Sequence, residues 1–166
     1  DIRGRYPGEI EEGTAQKIGH ATAWALGDNP EGKTVAVGHD VRASAPSISK
    51  AVIEGLQRAG TNVIDIGLCT TPMLNYAVGK LQVAGGIMVT ASHNPPEWIG
   101  FKICRENAIP LGEGSGLEKV RELTEKPLGN GTGTTEEKNI VQDYRKHIRG
   151  FLEKTPEIKV VVDCAN

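Results

Sequence analysis

The richest chemistry lies between Thr90 and Lys102, which reads TASHNPPEWIGFK. A strand-like run, GGIMVT, leads into it, and a second, Ile99 to Cys104, follows and carries Lys102. Between them come small Ala91 and Ser92, the polar pair His93 and Asn94, and two prolines, Pro95 and Pro96, that stiffen the exit. The order puts a serine hydroxyl at a strand end, in a rigid turn, with a cation on the next strand. Open α/β sheets carry their chemistry just there, beyond the carboxyl ends of strands.

Several chemistries compete for this stretch. A phosphorylated serine carries about −1.5 to −2 charge near neutral pH, so it needs cations and donors close by. Lys102 and Arg3 are the available cations, and Asn94 and the loop amides are the available donors. A lysine whose pKa is lowered by its surroundings could also serve as a base. The bland readings are a serine that closes a turn, a solvated Lys102 and a tail residue at Arg3. A serine hydrolase would need a base and an oxyanion hole. Adjacent His93 is expected to diverge from Ser92, and there is no G-x-S-x-G elbow. The GEGSG stretch at Gly112 to Gly116 lacks the G-K-[ST] ending of a phosphate loop and reads as a turn. Asp40 and Arg42, in GHDVRAS, read as a surface or supporting ion pair, with Arg42 a support for the loop. For His93 and Asn94, packing explains their place as well as chemistry does.

The elements that must position these residues follow from periodicity. Asp1 to Gly8 reads as an irregular lead-in with Gly4, Pro7 and Gly8 as breakers. Glu9 to Leu26 has the spacing of an amphipathic helix. Thr34 to Gly38 is a strand, and a helix capped by Ser44 runs to Gly60. Asn62 to Gly67 is a strand, Thr71 caps a helix that opens on Pro72, and Gly85 to Thr90 is the third strand. Strands alternating with helices imply parallel pairing and right-handed crossovers. Ile99 to Cys104 follows too closely for a crossover, so it should run antiparallel, with Ile99, Phe101 and Ile103 on one face and Lys102 on the other. A short helix at Leu117 to Thr124, capped by Ser115, comes next. Pro127 to Asn139, polar and rich in Gly and Thr, reads as a linker or surface hairpin. Ile140 to Lys154 reads as a final amphipathic helix, and Ile158 to Asp163 as the first strand of another α/β unit.

Composition narrows the classes further. With 166 residues, one domain or one plus a fragment is expected. A net charge of −2 and 4% aromatic residues argue against nucleic acid and anionic membranes as partners. No apolar run approaches the roughly 18 residues that span a bilayer. The opening residues do not resemble a signal peptide. Cys69, Cys104 and Cys164 lack metal-ligand spacing and read as free thiols in a reducing cytoplasm. With no initiator Met and a finish just after a strand-like run, the chain is expected to be an excised piece of a longer protein.

Three segments together carry a resemblance. TASHNPPEWIGFK, the opening DIRGRYPGEI and VGHDVRAS, in that order, resemble the α-D-phosphohexomutases, the phosphomannomutase/phosphoglucomutase group. The resemblance covers about the first of the family's four domains. It implies an α/β layered domain with a four-stranded mixed sheet and helices on both faces. It divides the chain into a phosphohexomutase N-terminal domain (1–126), a linker or hairpin (127–139), and a connecting helix with a truncated strand (140–166).

The resemblance also implies an activity, the interconversion of hexose 1-phosphate and hexose 6-phosphate through a bisphosphorylated sugar. Ser92 would be the phosphoserine, and its phosphate oxygen would ligate Mg²⁺. The implied catalytic set is Ser92, Lys102, Arg3 and His93, and Asn94 and Arg42 are the implied substrate-binding residues. Partners would be hexose phosphates, a hexose bisphosphate and the missing C-terminal domains, with no nucleic acid and no membrane, in the cytoplasm. The family's three metal aspartates and its sugar-recognition loops belong to those later domains, so this piece alone should be inactive. Thr-Ala-Ser leans toward mannose and glucose phosphates. The alternatives are a phosphoglucosamine mutase, whose loop usually has Ser-Ala-Ser, and a non-catalytic anion-binding module. One departure stands out: family loops commonly read Tyr-Asn-Gly where this chain has Trp98, Ile99 and Gly100, a loss of one polar partner near the loop.

Overall fold

A computed structural model describes residues 1–154 and 157–163. The strands are β1 (Ile2–Arg5), β2 (Thr34–His39), β3 (Asn62–Leu68), β4 (Gly85–Val89), β5 (Trp98–Arg105), β6 (Ile109–Pro110) and β7 (Thr135–Glu137). The helices are α1 (Glu12–Ala25), α2 (Ala45–Arg58), α3 (Thr71–Leu81), α4 (Leu117–Leu123) and α5 (Val141–Arg149). One mixed sheet runs β1-β5-β4-β2-β3-β7, with β6 beside β5.

Its centre is the expected one. β2, β3 and β4 are mutually parallel in the order β3-β2-β4, joined by α2 and α3. β5 returns antiparallel to β4, as its short connection requires. Helices cover both faces. Ile18, Val52 and Leu56 of α1 and α2 pack with Val35, Val37, Ile87, Ile99, Phe101 and Ile103 on one side. Leu74, Ala77 and Val78 of α3 pack with Ala36, Met88 and Cys104 on the other. All five residues of β4 are buried, which suits a strand covered on both faces and fixes its end as a rigid mount.

The sheet has seven strands rather than the expected four. Residues 2–5, expected to be irregular, form β1 antiparallel to β5, with Gly4 buried and Arg3 and Arg5 turned away from the core. Gly100 permits that pairing, because a Cβ there would stand 2.2 Å from the Ile2 carbonyl oxygen. Short β6 pairs with the end of β5. Pro127 to Asn139 is neither a hairpin nor a free linker. It runs along α2 and β3, and β7 pairs parallel with β3.

Local details also depart from expectation. Ser44 precedes α2 but has helical dihedrals and makes no side-chain cap bond. Thr70, not Thr71, is the N-cap of α3. Gly116 stands before α4, while the Ser115 hydroxyl accepts the Gly112 N–H at 2.7 Å and closes the GEGSG turn. α5 stops at Arg149, where Gly150 follows, so Phe151 and Leu152 lie beyond it and exposed. Ile158 to Asp163 forms no strand. Ile158, Val160, Val161 and Val162 are exposed, and among the described residues no strand pairing includes them. Cys69 and Cys104 are buried free thiols, as expected, and Cys164 lies outside the described residues.

Candidate active site

β2 and β4 are parallel neighbours, so their carboxyl ends finish side by side. The Asp40 N–H donates to the Val89 carbonyl at 3.0 Å, just where β4 gives way to the loop. On the other side the Thr90 N–H donates to the Gly100 carbonyl at 2.9 Å. The loop is thus tied at its root to both neighbouring strands. Two tight turns shape it: Asn94 N–H donates to Ala91 O at 3.1 Å, and Trp98 N–H donates to Pro95 O at 3.0 Å.

Ser92 has φ of +58°, in the left-handed region. For a residue with a Cβ that conformation costs about 1–2 kcal/mol, so something must hold it. Its N–H donates to the Thr90 hydroxyl at 2.9 Å, and that hydroxyl donates to Asp40 Oδ2 at 2.7 Å. Its carbonyl accepts from Arg42 Nη2 at 2.9 Å. The hydroxyl itself is exposed at the sheet end, with His93 Nδ1 at 3.5 Å. His93 does not diverge as expected, yet that separation is too long for a strong hydrogen bond. Among the described residues no carboxylate orients the His93 ring, so the triad of a serine hydrolase is not assembled.

Arg42 is central to the loop. Nη1 donates to the carbonyls of Pro95 (2.7 Å) and Trp98 (3.1 Å), and Nη2 to those of Ser92 (2.9 Å) and Asn94 (2.8 Å). Nε pairs with Asp40 Oδ2 at 3.2 Å. The supporting contacts are present, and these five bonds use all five N–H donors of the guanidinium. Asn94 contributes its backbone to the loop, through its N–H and its carbonyl.

Lys102 leaves β5 on the face opposite Ile99, Phe101 and Ile103, beside Met88, as its alternation predicts. Its Nζ bonds Asp1 Oδ2 at 2.6 Å, and Arg3 Nη2 reaches the same oxygen at 2.9 Å. β1 therefore brings the two expected cations together around one carboxylate. They do not contact Ser92, whose bonds go to Thr90, His93 and Arg42. Asp1, Lys102, Thr71 and Asn75 line a cleft of about 190 Å³. A roomier groove of about 570 Å³ between α1 and α4 includes neither Ser92 nor Lys102.

Sequence reasoning missed Asp40 as the hub, Thr90 as its relay and Asp1 as the bridging anion. A signal existed for the first. Asp40 directly follows β2, and parallel pairing with β4 had to set it beside the loop. Ile99, which stands where family loops commonly have a polar residue, is fully buried in the core, and the loop takes its polar contacts from Arg42 and Asp40.

Neither of the described thiols competes as a nucleophile here. Burial, with the Asp65 charge adding to it, pushes the Cys69 thiol up to about 12, and burial pushes Cys104 up to about 11. In this loop the Ser92 oxygen is of the hard type that suits Mg²⁺. Among the described residues no cluster of three His, Cys, Asp or Glu stands ready to hold a metal. The described residues therefore do not by themselves make up a full Mg²⁺ donor set.

The geometry can be set beside known proteins. The family model for phosphoglucomutase/phosphomannomutase, alpha/beta/alpha domain I, matches residues 1–128. The chain belongs to this family. Over its whole length it is 37% identical to a protein named phosphohexose mutases from Xanthomonas campestris, and covers 37% of that protein. It is 38% identical over its whole length to the phosphomannomutase/phosphoglucomutase of Pseudomonas aeruginosa, and covers 35% of it. A phosphoglucomutase/phosphomannomutase family protein from Burkholderia thailandensis superposes with a TM-score of 0.82 at 30% identity, over 94% of this chain and 35% of that one. These phosphomannomutase/phosphoglucomutase relatives are enzymes, and the chain spans little more than a third of their length. Among the described residues no helix is long and apolar enough to cross a membrane.

Proposed function

We propose that the protein carrying this chain is a phosphosugar mutase that interconverts hexose 1-phosphate and hexose 6-phosphate, with mannose and glucose as the sugars. The single observation that carries the reading is the Ser92 hydroxyl. It is exposed at the end of a fully buried strand, on a loop whose backbone is pinned at nearly every turn. Phosphoryl transfer asks the protein for positioning and charge neutralisation more than for covalent help, and a fixed hydroxyl meets the first demand.

Phosphorylated Ser92 gives its phosphoryl group to a free hydroxyl of the hexose monophosphate. The P–Oγ bond breaks as the bond to the sugar oxygen forms, and the sugar hydroxyl proton ends on Ser92 Oγ. The bisphosphorylated sugar then turns and returns its other phosphoryl group to Ser92. Lys102 supplies positive charge or moves the proton, and Arg3, whose fork suits phosphate, helps hold the charge. Asp1 occupies both cations in the unphosphorylated chain, and the phosphate displaces it. His93 borders the reacting oxygen, and Asn94, two residues on in the same loop, is a candidate to bind the sugar. An oxygen of phosphorylated Ser92, with carboxylates from beyond this chain, would hold Mg²⁺, which would supply neutralisation of charge on the transferring group.

The division proposed is a first domain over 1–126, the segment 127–139 laid along it, and a connector over 140–166 leading to further domains of the same protein. Free thiols and phosphosugar substrates favour a cytoplasmic location.

The test uses the full-length protein and a hexose bisphosphate. Intact mass should show one phosphoryl group gained, mapping to Ser92. Ser92→Ala should lose turnover by about a thousandfold or more. The 166-residue chain alone should show none. No phosphoryl gain, together with a Ser92→Ala variant as active as the parent, would leave an anion-binding module as the better reading.

A further inference from the structure

We infer that Asp40, Thr90 and Arg42 form one positioning device that aims the Ser92 hydroxyl for phosphoryl transfer without touching the sugar. The inference rests on the proposed role of Ser92 and assigns three further residues to that site. The two peptide groups flanking the Ser92 Cα are both held. The N–H is held by Thr90 Oγ1 at 2.9 Å, and the carbonyl by Arg42 Nη2 at 2.9 Å. With both fixed, φ stays at +58° and the hydroxyl keeps only the rotation about its own Cα–Cβ bond.

Asp40 makes the two holds a unit. Oδ2 accepts from the Thr90 hydroxyl (2.7 Å) and from Arg42 Nε (3.2 Å), while Oδ1 accepts the Arg42 N–H (3.0 Å). Thr90, with its proton spent on Asp40, must present a lone pair to the Ser92 N–H. The acid thereby sets the direction of the relay. Arg42 is largely shielded, with 10% of its side chain exposed, and its charge is balanced by Asp40. The pair adds geometry rather than net field. No donor of Arg42 is left to face a ligand, so the device should affect the rate of transfer and not the affinity for sugar phosphate.

The test measures kcat and KM in the full-length protein. Thr90→Val should lower kcat about tenfold with KM within about twofold, and Thr90→Ser, which keeps the hydroxyl, should restore kcat. Arg42→Ala should lose about a hundredfold in kcat, and added guanidinium should recover part of it, whereas Arg42→Lys, a point charge without a planar fork, should not. If the Arg42 variants do not fold, the two Thr90 variants carry the test. Equal kcat in Thr90→Val and Thr90→Ser, or a loss confined to KM, overturns the positioning role while the phosphoserine stands. If Ser92→Ala in the same assay turns over like the parent, the phosphoserine reading falls and this inference falls with it.

Discussion

The loop from Thr90 to Trp98 and the stretch from Pro127 to Asn139 both carry turn-forming residues, yet they are held by different means. The first contains no glycine. Its backbone is pinned by side chains from elsewhere, with Arg42 alone taking four carbonyls and the Thr90 hydroxyl taking the Ser92 N–H. The second adds close backbone contact to side-chain bonds such as Gln57 Nε2 to the Gly133 carbonyl. Gly131 N–H donates to Arg58 O at 2.8 Å, Gly133 N–H to Gln57 O at 3.0 Å, and the Val63 N–H to Thr134 O at 2.8 Å. Its glycines are there for proximity, since a Cβ on Gly133 would lie 1.9 Å from Thr61 O. The difference shows where each stores its specificity. One loop tolerates a strained backbone because a polar network enforces it, and the other avoids strain by removing side chains.

The sharpest way to break this contrast is to exchange the residue types. Gly133→Ala forces a Cβ into backbone that cannot move aside, and should cost about 2–3 kcal/mol in urea unfolding. A loss within error of zero would mean that the segment lies loosely on β3. The site loop should respond in the opposite sense. Ser92→Gly removes the left-handed penalty and Ser92→Ala keeps it, so the glycine variant should be the more stable of the two by about 1 kcal/mol, although neither should turn over. Greater stability in the alanine variant would show that Ser92 holds no backbone strain.

The same contrast explains what could be read from the residues. The alternation of strands and helices, the antiparallel return of β5 and the outward turn of Lys102 followed from hydrophobic period and connection length. Those signals are local. β7 was illegible because glycine and threonine in series have the composition of a flexible linker, and only the neighbouring α2 and β3 backbones reveal that the missing side chains make room. β1 was hidden for a related reason: Gly4, Pro7 and Gly8 read as breakers, while its partner lies about a hundred residues away in β5, whose Gly100 admits it. In the site, the nucleophile candidate was legible from its own neighbours. The hub at Asp40 was not, because its partners are Thr90 and Arg42 rather than anything periodic.

His20 gives the smallest of these effects and bears on the Gly-rich segment alone. Its ring is buried, and Nε2 accepts the Gly129 N–H at 3.0 Å, which requires the neutral form at that nitrogen. Burial first, and the Arg58 guanidinium second, lower the His20 pKa below the ordinary histidine value. The unfolded chain therefore binds the proton more readily than the folded one. Stability from this group is complete at and above neutral pH and is lost as pH falls through about 6.5 toward the depressed folded value. Protonation would also turn the Gly129 acceptor into a donor facing another donor. The measurement is a difference: melting temperature from pH 7.5 to 5.5 for the parent and for His20→Gln, whose side-chain oxygen can still accept. The parent should fall more steeply below about 6.5. Parallel curves would mean that Gly129 is held by the Arg58 bond to its carbonyl and not by the imidazole.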